Sequence, residues 1–288
     1  MVEEKEVNGV PSRIQTEYLF ADKPTSPEQT LSDYIGLDHI VQGCHIYGEI
    51  LWPDGSFSLP RPCVILLHGF PGCARNDDIA HALCRAGCVV LTPHHRGAWG
   101  SEGEYLVTNC IEDAVSLAEY VITPDLVQKH NIDPNAVYLI GHSMGGNTAL
   151  NAAKQLSWLR GVVLLTPYDP TRHIRENNAE ELLLLSDAGT PLHWGGKEAV
   201  YQDILDHLDS LNYEAAFDKL KDQNILCITG MADKIAPGAD MFGPLWALLQ
   251  EHPTDARQSW IELPADHGLL GCRCRLITEI AQFIADTL

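Results

Sequence analysis

Short runs of consecutive apolar residues, separated by turn-forming stretches, set the rhythm of this chain. Cys63–Leu67, Cys88–Leu91, Val137–Ile140, the run closing on Leu164-Leu165-Thr166, Asn224–Gly230 and Trp260–Leu263 read as buried strands. Between them the apolar positions recur at helical spacing. Asp77–Arg85 is expected to be a helix with Asn76 as its cap, and Ile111, Ala114, Val115, Ala118 and Ile122 form one apolar stripe. Asn147–Ala153 continues as an Ala-rich helix with no proline to stop it, and Leu276, Ile277, Ile280, Phe283 and Ile284 share one face of the last helix. These stripes are core faces. Strand and helix alternate, which predicts an α/β fold built on a doubly wound, mostly parallel sheet.

Two stretches break the alternation. Residues 1–37, with Pro11, Pro24 and Pro27 among polar neighbours, are expected to form an irregular N-terminal arm that packs on the body or on a second subunit of a homo-oligomer. Residues 169–222 exceed an ordinary loop and hold helix-like pieces around 178–186 and 197–220, so they read as a small helical cap inserted between core segments 38–168 and 223–288. The cap leaves the sheet near the edge where chemistry is expected, a position from which it would roof a pocket and exclude water. Its run Leu182–Leu185 reads as the cap's own packing face. His193 and Trp194, followed by two glycines, are candidate substrate contacts, with turn packing the plainer reading.

The densest chemical signal is Leu139-Ile140-Gly141-His142-Ser143-Met144-Gly145-Gly146, an apolar strand running through G-x-S-x-G straight into a helix. That pattern is a nucleophile elbow: Ser143 sits on a strained turn with its hydroxyl presented, and the glycines leave room where a Cβ would collide. A serine hydroxyl is a weak nucleophile at neutral pH, so it needs a base and an acid to orient that base. Asp233 follows the strand Asn224–Gly230, and His267 follows the strand Trp260–Leu263. In an open parallel sheet such loops gather at one edge. Asp169, after the strand ending at Thr166, is the alternative acid; Asp266, adjacent to His267, is poorly placed to orient it. The loop His68-Gly69-Phe70-Pro71-Gly72 follows the strand Cys63–Leu67 and is where a second oxyanion donor is expected beside the N–H of Met144. Pro71 has no N–H, so Phe70 is the candidate.

Through HGFPG at 68–72, GHSMGG at 141–146, GMAD at 230–233 and DHG at 266–268, the chain resembles the α/β-hydrolase superfamily of serine hydrolases. The segment His95–Gly103 is similar to the RGxxGSxG loop of bacterial hydrolases related to the prolyl-oligopeptidase and dienelactone-hydrolase branches. Its residues read first as a glycine-bearing brace for the oxyanion loop, with Trp99, Arg96 and Glu102 as candidates for substrate contact. The resemblance implies an acyl-enzyme mechanism on small or medium carboxylic esters, with no metal or organic cofactor. Two rivals remain: an aminopeptidase-like amide hydrolase, and a hydrolase fold that binds without catalysing.

Composition narrows the partners. Lys and Arg number 19 against 39 Asp and Glu, a net charge of −20, which argues against nucleic acid as a ligand. No apolar run is long enough to span a membrane and no secretory signal is visible, so the expected location is cytoplasmic. Nine cysteines, several inside apparent strands, read as buried free thiols of a reducing compartment, and Cys272-Arg273-Cys274 lacks a second pair at zinc-binding spacing.

Overall fold

The computed structural model describes residues 13–24, 30–176 and 187–288. Its centre is one eight-stranded sheet in the order β1-β2-β4-β3-β5-β6-β7-β8. The strands are β1 (Asp33–Val41), β2 (Cys44–Trp52), β3 (Arg61–Leu67), β4 (Val89–Pro93), β5 (Ile132–His142), β6 (Gly161–Leu165), β7 (Ile225–Gly230) and β8 (Gln258–Leu263). From β4 across to β8 every neighbouring pair is parallel, and β1 and β2 add an antiparallel margin.

Side-chain alternation along the central strands divides the core in two. Cys63, Ile65 and Leu67 of β3 point to the face covered by α2 (Val107–Val121) and α4 (Met144–Ala153). Val64 and Leu66 point to the face covered by α1 (Asp77–Ala86) and the C-terminal helix Arg273–Thr287. Because both faces are covered, β3, β4, β6 and β7 are buried along their whole lengths, which is why they read as continuous apolar runs. The short helix α3 (Pro124–His130) leads into β5. Among the described residues no helix is long and apolar enough to cross a membrane.

Four expectations need correction or delimiting. Residues 33–37, assigned to the arm, are the first half of β1, which pairs with β2 through a tight hairpin at Gln42-Gly43 with φ of 50° and 79°. Two consecutive positive φ values match the turn whose twist suits a two-residue hairpin. Asn76 does stand at the start of α1, but its side chain does not cap the helix: it accepts a bond from Arg273 instead. The stretch 197–220 is not one helix but short pieces, Lys197–Asp206, Leu208–Leu211, Glu214–Ala216 and Phe217–Leu220. The expected piece 178–186, with its leucine run, lies outside the described residues.

The described part of the insertion docks on the layer of α2 and α4. Asp203 accepts bonds from the Thr108 N–H and hydroxyl at the start of α2, at 3.1 and 2.6 Å. At the far margin, β1 has a strand partner on one side only among the described residues, and it exposes Tyr34 (67%), Ile35 (42%) and Ile40 (57%) among Asp33, Asp38 and His39.

The tightest crossing in the fold is where α4 leaves the sheet. A Cβ on Gly145 would lie 2.3 Å from the Leu67 carbonyl oxygen and 2.6 Å from that of His68, and one on Gly141 would lie 1.9 Å from the Gly145 oxygen. These are backbone atoms that cannot swing aside. Gly145→Ala is therefore expected to destabilise the fold by about 1–3 kcal/mol or more, read as a lower midpoint in urea denaturation.

Candidate active site

Ser143 is the single residue between the end of β5 and the start of α4, and it has φ 56° and ψ −119°. This sparsely populated conformation is held from both sides. The Ser143 N–H donates to the Leu165 carbonyl at 2.9 Å, and the Ser143 carbonyl accepts from the Tyr168 N–H at 3.1 Å. The hydroxyl is thereby fixed at the carboxyl ends of the parallel strands.

Asp233 and His267 arrive at the same edge from the ends of β7 and β8. His267 Nε2 lies 2.8 Å from Ser143 Oγ, and His267 Nδ1 lies 2.8 Å from Asp233 Oδ2. A carboxylate only accepts, so it selects the tautomer with the proton on Nδ1 and leaves Nε2 free to take the serine proton. The other carboxylate oxygen, Oδ1, accepts the N–H groups of Ile235 and Ala236, both at 2.9 Å. Burial pushes the Asp233 carboxyl up, but the bond from His267 and those two amides more than offset it and hold the pKa below the usual value. An imidazole so placed can carry a proton away from Ser143 and return it.

Asp169 is not part of this line. It is buried, its Oδ1 accepts the Thr171 N–H and hydroxyl at 2.9 and 2.7 Å, and its Oδ2 faces Arg175 at 3.2 Å. Asp266 is exposed.

The loop 68–72 lies against the elbow: a Cβ on Gly69 would be 2.9 Å from the His142 oxygen and 3.0 Å from Ser143 Cβ. Met144 begins α4, so its N–H belongs to the helix's first turn, where amides have no partner within the helix. Sequence reasoning assigned no role to His68, whose ring organises this loop. The His95 N–H donates to His68 Nε2 at 3.2 Å, which places the ring proton on Nδ1, and Nδ1–H donates to the Gly69 carbonyl at 2.8 Å. That carbonyl shares a trans peptide with the Phe70 N–H, so fixing one sets the direction of the other. Desolvation in its buried site holds the His68 pKa well below the usual value, and the ring stays neutral. The only sequence hint was its place at the head of the motif.

The brace behind this loop is ionic. Arg96 is buried, donates through Nε and its N–H to Asp113 of α2 at 2.6 and 2.9 Å, and reaches Glu112 at 2.7 Å. Arg96 is thus committed to α2. Glu102 accepts the His45 N–H. Trp99 is 47% exposed and its indole N–H donates to the Gly72 carbonyl at 3.1 Å. His193 ties the insertion to the same segment through the Gly97 and Tyr105 backbone and the Gly103 carbonyl. Trp194 packs its ring on Phe70 at 5.7 Å, and Tyr105 packs on Phe70 at 5.4 Å. Trp194 is therefore the insertion's contact with the candidate oxyanion loop, whereas His193 is bonded away from it.

Among the described residues, no group of three or more His, Cys, Asp or Glu side chains is arranged to hold a metal ion. Cys272 turns its thiol toward the Pro264 carbonyl, and all nine cysteines are free thiols.

A model of the alpha/beta hydrolase family matches residues 64–278. A monoglyceride lipase of Mus musculus is 31% identical over 149 residues, 50% of this chain and 47% of that protein. Esterase EstD of Thermotoga maritima is 30% identical over 192 residues, 59% of this chain and 42% of the relative. The alignments thus span less than half the length of these relatives. Among solved structures, brefeldin A esterase, a bacterial homologue of human hormone sensitive lipase, superposes with TM-score 0.66 at 17% identity, covering 94% of this chain and 81% of its own. An esterase of Pyrobaculum calidifontis gives 0.63 at 19%, covering 90% and 87%. At those identities the likeness is one of fold.

The Arg96–Asp113 pair sets a stability expectation. Asp113→Ala leaves the buried Arg96 Nε and main-chain N–H without their partner and should cost about 3 kcal/mol in chemical denaturation, well beyond the effect of removing the exposed partner Glu112.

Proposed function

Since the chain belongs to the alpha/beta hydrolase family, we propose that it is a serine hydrolase that cleaves small or medium carboxylic esters through an acyl-enzyme. The observation that carries this reading is the unbroken line from Asp233 through His267 to Ser143, at 2.8 Å for each link.

Ser143 Oγ attacks the ester carbonyl while His267 Nε2 takes its proton. The resulting imidazolium is supported by the Asp233 carboxylate. The carbonyl oxygen becomes negative and is received by the N–H groups of Phe70 and Met144, donors whose individual loss typically costs about 3–4 kcal/mol of transition-state stabilisation. His267 then protonates the departing alkoxide, leaving an acyl group on Ser143. Water enters, gives a proton to the same imidazole as it attacks the acyl carbon, and the imidazolium returns that proton to Ser143 Oγ as the acyl–oxygen bond breaks and the acid leaves. The ester preference is supported by the names of two relatives, a monoglyceride lipase and an esterase.

A fluorophosphonate should add its phosphonyl mass to the wild-type chain and none to Ser143→Ala, as read by intact-mass spectrometry. Absence of adduct on folded wild type would favour the non-catalytic reading. Asp233→Asn should lower kcat by about 10⁴-fold by disfavouring the required tautomer. Asp169→Asn, whose carboxylate serves Thr171 and Arg175, should leave kcat far less affected, and the reverse ranking would move the acid to Asp169.

For the substrate class, kcat/KM is compared across short acyl esters, a monoacylglycerol, and aminoacyl substrates offered as matched ester and amide. Esters should lead, with no gain from a free α-amine. A peak on amides with a free amino terminus would put the aminopeptidase-like reading in its place.

A further inference from the structure

Thr166, the residue that follows β6, has φ 40° and is fully buried. For a β-branched side chain that backbone conformation is a genuine outlier, of the kind that persists only where its surroundings hold it. A glycine would adopt it without strain. Threonine brings a hydroxyl that glycine lacks, and this hydroxyl donates to the main-chain carbonyl of His267 at 3.0 Å.

A second donor reaches the same oxygen. His142 Nε2 lies 3.0 Å from the His267 carbonyl, and the two imidazoles lie 5.3 Å apart at 39°. Burial pushes the His142 pKa down to about 4, so near neutral pH the ring is uncharged and can donate from Nε2. A carbonyl oxygen has two lone pairs, enough for both donors.

The turn that carries Thr166 also grips the elbow. Leu165, just before it, accepts the Ser143 N–H, and Tyr168, two residues after it, donates to the Ser143 carbonyl. The Thr166 N–H itself donates to Ile228 of β7 at 2.7 Å. One four-residue turn therefore bonds to the backbone on both sides of Ser143 and, through one side chain, to the backbone of His267.

We propose that Thr166, assisted by His142, is a positioning residue that sets the spacing between His267 and Ser143. The inference rests on the proposed hydrolase reading. Thr166 touches no reacting atom. It acts by denying the loop 264–268 the freedom to carry the imidazole away from the serine, and the strain at φ 40° is tolerated for that bond.

The test compares Thr166→Val, which keeps the shape and loses the hydroxyl, Thr166→Ser, which keeps the hydroxyl, and Thr166→Gly, which relieves the strain and loses the hydroxyl. Wild type and variants are assayed on an ester that wild type hydrolyses, alongside thermal melting and the low-field proton NMR signal of His267 Nδ1–H. Thr166→Val and Thr166→Gly should lower kcat by about 10- to 100-fold with little change in KM, the size expected for a misplaced catalytic group. Thr166→Ser should retain most of the wild-type rate. Thr166→Gly should melt no lower than Thr166→Val while sharing its loss of rate, a combination that a merely structural residue would not give.

The NMR signal should broaden in the valine and glycine variants and stay sharp in the serine variant. Unchanged kcat and an unchanged signal in both hydroxyl-free variants would overturn the proposal. If wild type hydrolyses no ester, the functional reading fails, and the NMR comparison still decides whether Thr166 positions His267. Should Thr166→Val not fold, Thr166→Gly and His142→Phe, which removes the other donor, are held to the same two criteria.

Discussion

The chain must pass from β5 into α4 through one residue, and the rest of the site is arranged around the cost of that passage. Ser143 occupies a conformation that non-glycine residues avoid. It stays there because α4 is drawn so close to β3 and β5 that no Cβ fits at Gly141 or Gly145. The neighbouring turn then bonds to Ser143 from both sides. Close packing of a helix on a sheet, rather than any single hydrogen bond, presents the hydroxyl. The packing also brings the amide of Met144 and the loop beginning at His68 to the same spot.

Around that fixed point the structure sorts its polar residues by depth. Of the Asp233–His267–Ser143 line, His267 is partly exposed, while Asp233 is buried beneath it. Arg96, Asp113, His68, His142 and Asp169 are also buried and bond to backbone groups around it. Neutral imidazoles recur in this second group. Burial holds His68 and His142 below the usual pKa, so both act as directional donors to carbonyls. A ring that never charges near neutral pH is suited to orienting a peptide, because its hydrogen-bond pattern does not change as the solution does.

The fold and the three polar side chains at the sheet edge could be located from sequence because each follows a strand end and belongs to a short local pattern. The elbow glycines, the GMAD and DHG segments and the apolar runs are short patterns that can be read locally, although the contacts they serve, such as Gly145 against Leu67 and His68, are distant in the chain. His68 and Thr166 were not legible in the same way. Thr166 meets a carbonyl 101 residues further along the chain, and nothing in Leu-Thr-Pro states which carbonyl that will be. The β1–β2 hairpin escaped notice for a different reason. β1 is largely solvent-facing and β2 is mostly half-buried, so their apolar alternation is weak, and prolines just upstream suggested irregular chain.

The margin at β1, with one strand partner among the described residues, ties the molecule's behaviour in solution to its charge. An open strand bearing Tyr34, Ile35 and Ile40 offers hydrogen-bonding groups to any similar strand, including its own copy on another molecule. What stands against such sheet extension is a net charge of −20, with Asp33 and Asp38 on the strand itself. That guard is electrostatic and reversible: it weakens with added salt and vanishes as the solution approaches the isoelectric point near 4.9. Colloidal stability is thus set by surface charge and folding stability by the buried core, two different parts of this chain.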